Sequence, residues 1–171
     1  MRSRSIGRFP YLATGDLAPG DIAVLRPALP VTLLGGHGGE MTTTRALVDS
    51  GADYTTFSDE WAKLLGIELE RDCARIEVGV ADAKHSIRHV FTKGLQIEVV
   101  GEPMLLPVVM FCQNLPIGLL GRRDFFERYL VLFDHRNHDF FLERRTDPDE
   151  GQGDYYDTKS AARMMRAPKV A

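Results

Sequence analysis

Cysteine is scarce in this chain. Cys73 and Cys112 are all it has, too few for a disulfide framework and suited to a reducing compartment. Long apolar runs are missing too. The longest, Met104 to Cys112, contains Pro107 and falls far short of the roughly 20 residues that a membrane-spanning helix needs. Met1 to Arg8 carries charge with no apolar stretch behind it, so no secretory leader is expected. Neither sign of charge dominates: 21 basic against 24 acidic side chains leave −3, with a pI near 5.9. That excludes the basic footprint of a nucleic-acid binder or of a protein drawn to anionic membranes. Internal repeats are absent. The expectation is a cytoplasmic protein with neither nucleic acid nor membrane among its partners. What remains is ordinary: 171 residues, 44% hydrophobic and 26% charged, enough for one globular domain.

Composition divides the chain into three zones. Residues 1–27 hold six Gly or Pro with weak periodicity, which predicts an irregular N-terminal arm. Residues 28–145 carry nearly all the strand and helix signals. From residue 146 the chain turns acidic and Gly-rich, then basic, without an apolar face, which predicts a flexible C-terminal tail.

The middle zone reads mostly as short strands. Pro30 to Leu34 and the β-branched run Thr42 to Val48 flank Gly35-Gly36-His37-Gly38-Gly39, a hairpin pattern. Further strands are expected over 74–79, 85–100, 103–111 and 117–120. A last hairpin joins 129–133 to 139–142. Ser58 is a good N-cap for a short helix ending before Gly66, and Asp124 to Arg128 reads as a second. Many short strands with two short helices predict a mostly β fold, a closed or folded β-barrel.

The chemistry concentrates in Ala46-Leu47-Val48-Asp49-Ser50-Gly51-Ala52-Asp53. An apolar strand runs straight into an aspartate beside a glycine. Asp, Ser and Gly are common turn residues, so the tetrapeptide alone reads as a turn. Its context changes that. Thr55-Thr56-Phe57-Ser58 and the first helix follow. About seventy residues later come Leu119-Leu120-Gly121-Arg122, a helix, and the strand Tyr129 to Asp134.

These two motifs, in this order and separated by a hairpin-rich middle, resemble the retropepsin-like aspartic proteases over about residues 28–145. The post-motif helix is more similar to the cellular and bacterial members than to the compact retroviral ones. The resemblance implies an aspartic endopeptidase acting on peptide or protein substrates, with no cofactor. Each active site of that family takes one Asp-Thr/Ser-Gly segment from each of two subunits, and this chain has one. A homodimer with Asp49 and its mate on the two-fold axis is therefore implied. Ser50 would bond across the axis, Gly51 would admit substrate backbone, and Ala52 stands where a hydroxyl residue is frequent in pepsin-like relatives. Asp53 would lie in the cleft and pair with Arg122, while Leu119, Leu120 and Gly121 pack beneath the loop. A flap is implied over Val78 to Lys84, with Val80, Ala81 and Asp82 contacting substrate. The alternative on the same fold is a dimerisation or peptide-binding module that cleaves little or nothing.

Other candidates carry less. His85 and His89 share a strand face, and His135 and His138 flank a turn. Neither pair has partners at a metal-ligand spacing, so no metal is expected. The Gly35–Gly39 run lacks the lysine and helix of a phosphate loop. Cys73 and Cys112 read as small buried hydrophobes, and Trp61 as a core anchor. Phe140-Phe141-Leu142 fits either the core or a dimer interface.

Overall fold

The computed structural model describes residues 2–14, 24–35, 41–79 and 85–146. In chain order they form β1 (Arg2–Pro10), β2 (Leu12–Ala13), β3 (Leu25–Arg26), β4 (Ala28–Leu34), β5 (Thr42–Val48), β6 (Thr56–Ser58), α1 (Asp59–Leu64) and α2 (Leu69–Asp72). They continue as β7 (Ala74–Gly79), β8 (His85–Phe91), β9 (Leu95–Val99), β10 (Glu102–Leu106), β11 (Val109–Cys112), β12 (Gly118–Leu120), a π turn (Arg122–Phe126), β13 (Tyr129–Asp134) and β14 (Asp139–Thr146).

Period-two alternation builds the central sheet. β9 turns Leu95, Ile97 and Val99 inward and Gln96 and Glu98 outward, and β4 buries Leu29, Val31 and Leu33. With Phe57, Phe91, Phe111 and Leu120 these form one continuous core, the arrangement expected when one face of each strand is withdrawn from water. The strand order is β10-β9-β4-β5-β12-β6-β11-β8-β7. β12 is the keystone: it runs parallel to β5 and meets β6 antiparallel, and β11 runs parallel to β6.

Among the described residues this sheet is open, so the closed barrel is not formed. Closure would require β10 to meet β7, the two ends of the strand order. On the β10 side, Arg128 donates to the Pro103 carbonyl at 2.8 Å and Tyr129 to Glu102 at 3.2 Å.

Residues 2–10 are not an irregular arm. β1 pairs antiparallel with β14 from Arg2 opposite Thr146 to Pro10 opposite Asp139, and β13 completes a three-stranded sheet. Alternation is weak in β1 because a bulge between Ser5 and Gly7 shifts its register. What anchors β1 is tertiary: Phe9 packs on Phe140, and Arg8 holds the buried Asp139 carboxylate. Phe140 and Leu142 are fully buried, so these two serve the core of their own chain and not an interface.

Most other sequence expectations are met within a residue or two. Ser58 caps α1 by accepting from the Glu60 N–H, and Gly66 takes the left-handed conformation with φ +72. The single run expected over 85–100 is two strands split at Gly94, φ +86. The apolar run 103–111 is likewise split, between β10 and β11. The hairpin tip 36–40, the segment 80–84 with Val80, Ala81 and Asp82, and the tail from 147 lie outside the described residues. Among the described residues, no helix is long and apolar enough to cross a membrane, and no group of His, Cys, Asp or Glu is placed to hold a metal.

Candidate active site

Asp49 follows the last residue of β5, at the point where the sheet hands over to a loop that rejoins it at β6. The loop is fixed by β12 at its start. The Asp49 N–H donates to the Leu120 carbonyl at 3.2 Å, continuing the β5–β12 pairing by one residue. The Ala52 N–H then returns to the Asp49 carbonyl at 3.2 Å, making a tight turn. Inside it, the Gly51 N–H donates to Asp49 Oδ1 at 2.8 Å. A Cβ on Gly51 would lie 3.1 Å from that oxygen, so glycine keeps the space beside the carboxylate clear. The Asp49 side chain is half-buried, while Ser50 and Gly51 are exposed.

The far half of the loop is held by the π turn. Its first two N–H groups have no side-chain cap and donate to the loop instead, Arg122 to the Ala52 carbonyl and Arg123 to the Asp53 carbonyl, both at 2.9 Å. This satisfies orphan donors of a helical start and locks the two motifs together. It also explains why the turn begins at Arg122 and not at the expected Asp124. Gly121 is squeezed between the motifs: a Cβ there would sit 2.3 Å from the Tyr54 carbonyl carbon.

The side chains of Asp53 and Arg122 meet, Arg122 Nη2 donating to Asp53 Oδ1 at 2.5 Å. Both are more than half exposed, 57% for Arg122 and 60% for Asp53. The adjacent Arg123 lies instead over the Tyr54 ring. β7 and β8 pair antiparallel out to Gly79 opposite His85, the described residues that border the rest of the segment expected as the flap.

Two residues escaped the sequence reading. Asp124 is buried in the π turn, and Thr55 is buried at the loop's end. The Thr55 hydroxyl donates to Asp124 Oδ1 at 2.6 Å and its N–H to Oδ2 at 3.1 Å. The Phe125 N–H adds 2.6 Å to Oδ1. Burial, the dominant influence, pushes the Asp124 carboxyl up to about 6, against those three hydrogen bonds, which pull it down. The signal available in the sequence was an acidic residue between Leu-Leu-Gly and Phe-Phe, where an unpartnered charge has no place.

A family model described as "gag-polyprotein putative aspartyl protease" matches residues 39–128, more than half of the chain. Among solved structures, the chain is similar to a retropepsin-like aspartic protease from Rickettsia conorii. That match has 16% identity and a TM-score of 0.52, covering 84% of this chain and 96% of that one. It is also similar to the retroviral protease-like domain of Ddi1 from Leishmania major, at 16% identity and a TM-score of 0.44, covering 72% of this chain and 97% of that one. No curated protein matches. An Asp-Ser-Gly loop seated on a parallel strand pair, a Leu-Leu-Gly strand locked beneath it, and the family match across both motifs lead to one assignment: this chain belongs to the retropepsin-like aspartic protease family.

Proposed function

We propose that the protein is an aspartic endopeptidase whose active site forms between two copies of the chain, each contributing Asp49. The observation that carries this reading is the half-site. One carboxylate stands at a strand-to-loop junction, oriented by the Gly51 N–H, and the sequence holds no second Asp-Ser/Thr-Gly segment. Two such carboxyls brought to about 3 Å cannot both ionise, so they share a proton. The ionised member takes a proton from a water, which attacks the peptide carbonyl. The protonated member hydrogen-bonds the developing oxyanion, and a proton then passes to the leaving amine. The pair titrates as a unit. Ser50, exposed in the single chain, is free to bond across the axis, and the segment Val78 to Lys84 would cover the cleft as a flap.

Asp49→Asn tests this directly. The variant should keep the melting temperature and dimer of the wild type and lose cleavage of a peptide library. Mixed in excess with wild-type chains under subunit exchange, it should suppress their activity, because mixed dimers lack one carboxyl. Full cleavage by a clean Asp49→Asn preparation would refute the proposal.

A further inference from the structure

Asp124 is a costly residue to bury, and the half-site described above does not use it. It is 5% exposed and surrounded by donors. Oδ1 accepts from the Thr55 hydroxyl and the Phe125 N–H, and Oδ2 from the Thr55 N–H. The Thr55 hydroxyl in turn accepts the Gly121 N–H at 3.1 Å. Residues 120–124 thus grip both ends of the loop. The Leu120 carbonyl holds Asp49 at its start, and Gly121 and Asp124 hold Thr55 at its end. An ionised carboxylate suits this place because it is acceptor-only. An asparagine of the same shape turns one donor toward another.

We propose that Asp124 is a positioning residue for catalysis: ionised, it fixes Thr55 and through it the turn that presents Asp49. This rests on reading Asp49 as the catalytic group. The charged and titratable groups around Asp124 leave it in control of the contact. On its own turn, Glu127 opposes its ionisation, Arg122 is engaged by Asp53, and Arg123 lies over Tyr54. Arg128 donates to the Pro103 carbonyl, and from β13 Tyr129 donates to Glu102. From the loop, Thr55 offers it one N–H and one O–H, while the Gly121 N–H is taken by the Thr55 hydroxyl. Burial raises its carboxyl to about 6, and the three hydrogen bonds act against that rise. At neutral pH it is ionised, and all three donors meet an acceptor.

The test uses amide hydrogen exchange at Gly51 and Ala52, corrected for intrinsic rates, together with steady-state cleavage, in the full chain. In the wild type both amides should be protected at neutral pH. In Asp124→Asn that protection should fall on the order of tenfold. Thr55→Val, which removes the relay, should behave like Asp124→Asn, and Thr55→Ser should restore most of what Thr55→Val loses. Where cleavage is measured, kcat of Asp124→Asn should drop on the order of 10- to 100-fold with KM little changed, as expected for a misplaced reacting group. Wild-type protection in Asp124→Asn would overturn the proposal, as would wild-type protection in Thr55→Val should Asp124→Asn not fold. A wild-type protein that cleaves nothing would refute the role of Asp49 while the exchange data still decide whether Asp124 orders the loop.

Discussion

Replacing Gly121 with alanine adds one methyl group where the backbone of Tyr54 and Thr55 already closes on it. The backbone there has φ −93 and ψ 173, which any residue adopts, so the demand for glycine is one of space. The added Cβ would lie 2.3 Å from the Tyr54 carbonyl carbon and 2.7 Å from both Thr55 N and Tyr54 Cα. Carbon atoms in contact sit about 3.5–4.0 Å apart, so two backbone segments must separate by at least about 1 Å. The bonds that bind them, Gly121 N–H to the Thr55 hydroxyl and Arg122 N–H to the Ala52 carbonyl, stretch with that movement. Overpacking a core usually costs about 1–3 kcal/mol, and here no flexible side chain can yield, so about 3 kcal/mol or more is expected. For a chain of this size that lowers Tm by about 6–12 °C. Gly101 is the control: nothing lies within 4 Å of its Cβ position, but its φ is +78. Gly101→Ala should therefore cost about 1–2 kcal/mol from backbone conformation alone. Thermal unfolding followed by circular dichroism reads both, and peptide cleavage should vanish in Gly121→Ala well below its Tm. A Gly121→Ala protein melting within about 2 °C of wild type would refute the interlock as drawn.

Three other perturbations follow from the same geometry. Asp53 and Arg122 are both more than half exposed in the single chain, so their coupling in a double-mutant cycle should stay under about 1 kcal/mol at concentrations where chains are separate. It should rise where they associate, and a large coupling in separate chains would contradict this. Asp124 is raised from 3.8 to about 6 by burial, so its contribution to stability is complete below about pH 4 and is lost as pH climbs through 6. Asp124→Asn should remove that loss, worth at most about 3 kcal/mol, so its Tm should gain on the wild type from pH 4 to 7; a constant difference would refute it. Ala52 offers no hydroxyl beside Asp49, which predicts a mildly acidic optimum for cleavage. Ala52→Thr should move that optimum to lower pH, and an unchanged profile would count against a donor's importance there.

The central hairpin, α1 and the two motifs were legible because their signals are local. β-branched alternation marks β5, Ser58 and Gly66 bracket α1, and Asp49-Ser50-Gly51 interrupts an apolar strand. β1 was not legible, because a bulge breaks its alternation and its partner β14 lies at the far end of the described chain, Arg2 opposite Thr146. The open sheet was hidden for a similar reason: strand patterns state which faces are buried, not which edges meet. At the site, Asp53 and Arg122 were placed together through family resemblance, and the structure brings them within hydrogen-bonding distance. Asp124 looked like a helix-start residue. Only the close approach of Thr55, forced by the seating of β12, turns it into a buried acceptor.

That seating also sets a clock. β12 joins Ala46, Leu47 and Val48 through Gly118, Leu119 and Leu120, segments made about seventy residues apart. At ribosomal speeds of about 5–20 residues per second, the Asp49 loop waits roughly 4–14 s for the strand that shapes it. Pairing so distant is slow to find even then, because a long loop must close before any contact rewards it. The Asp49 loop of a nascent chain therefore stays unset until synthesis has carried the second motif clear of the ribosome.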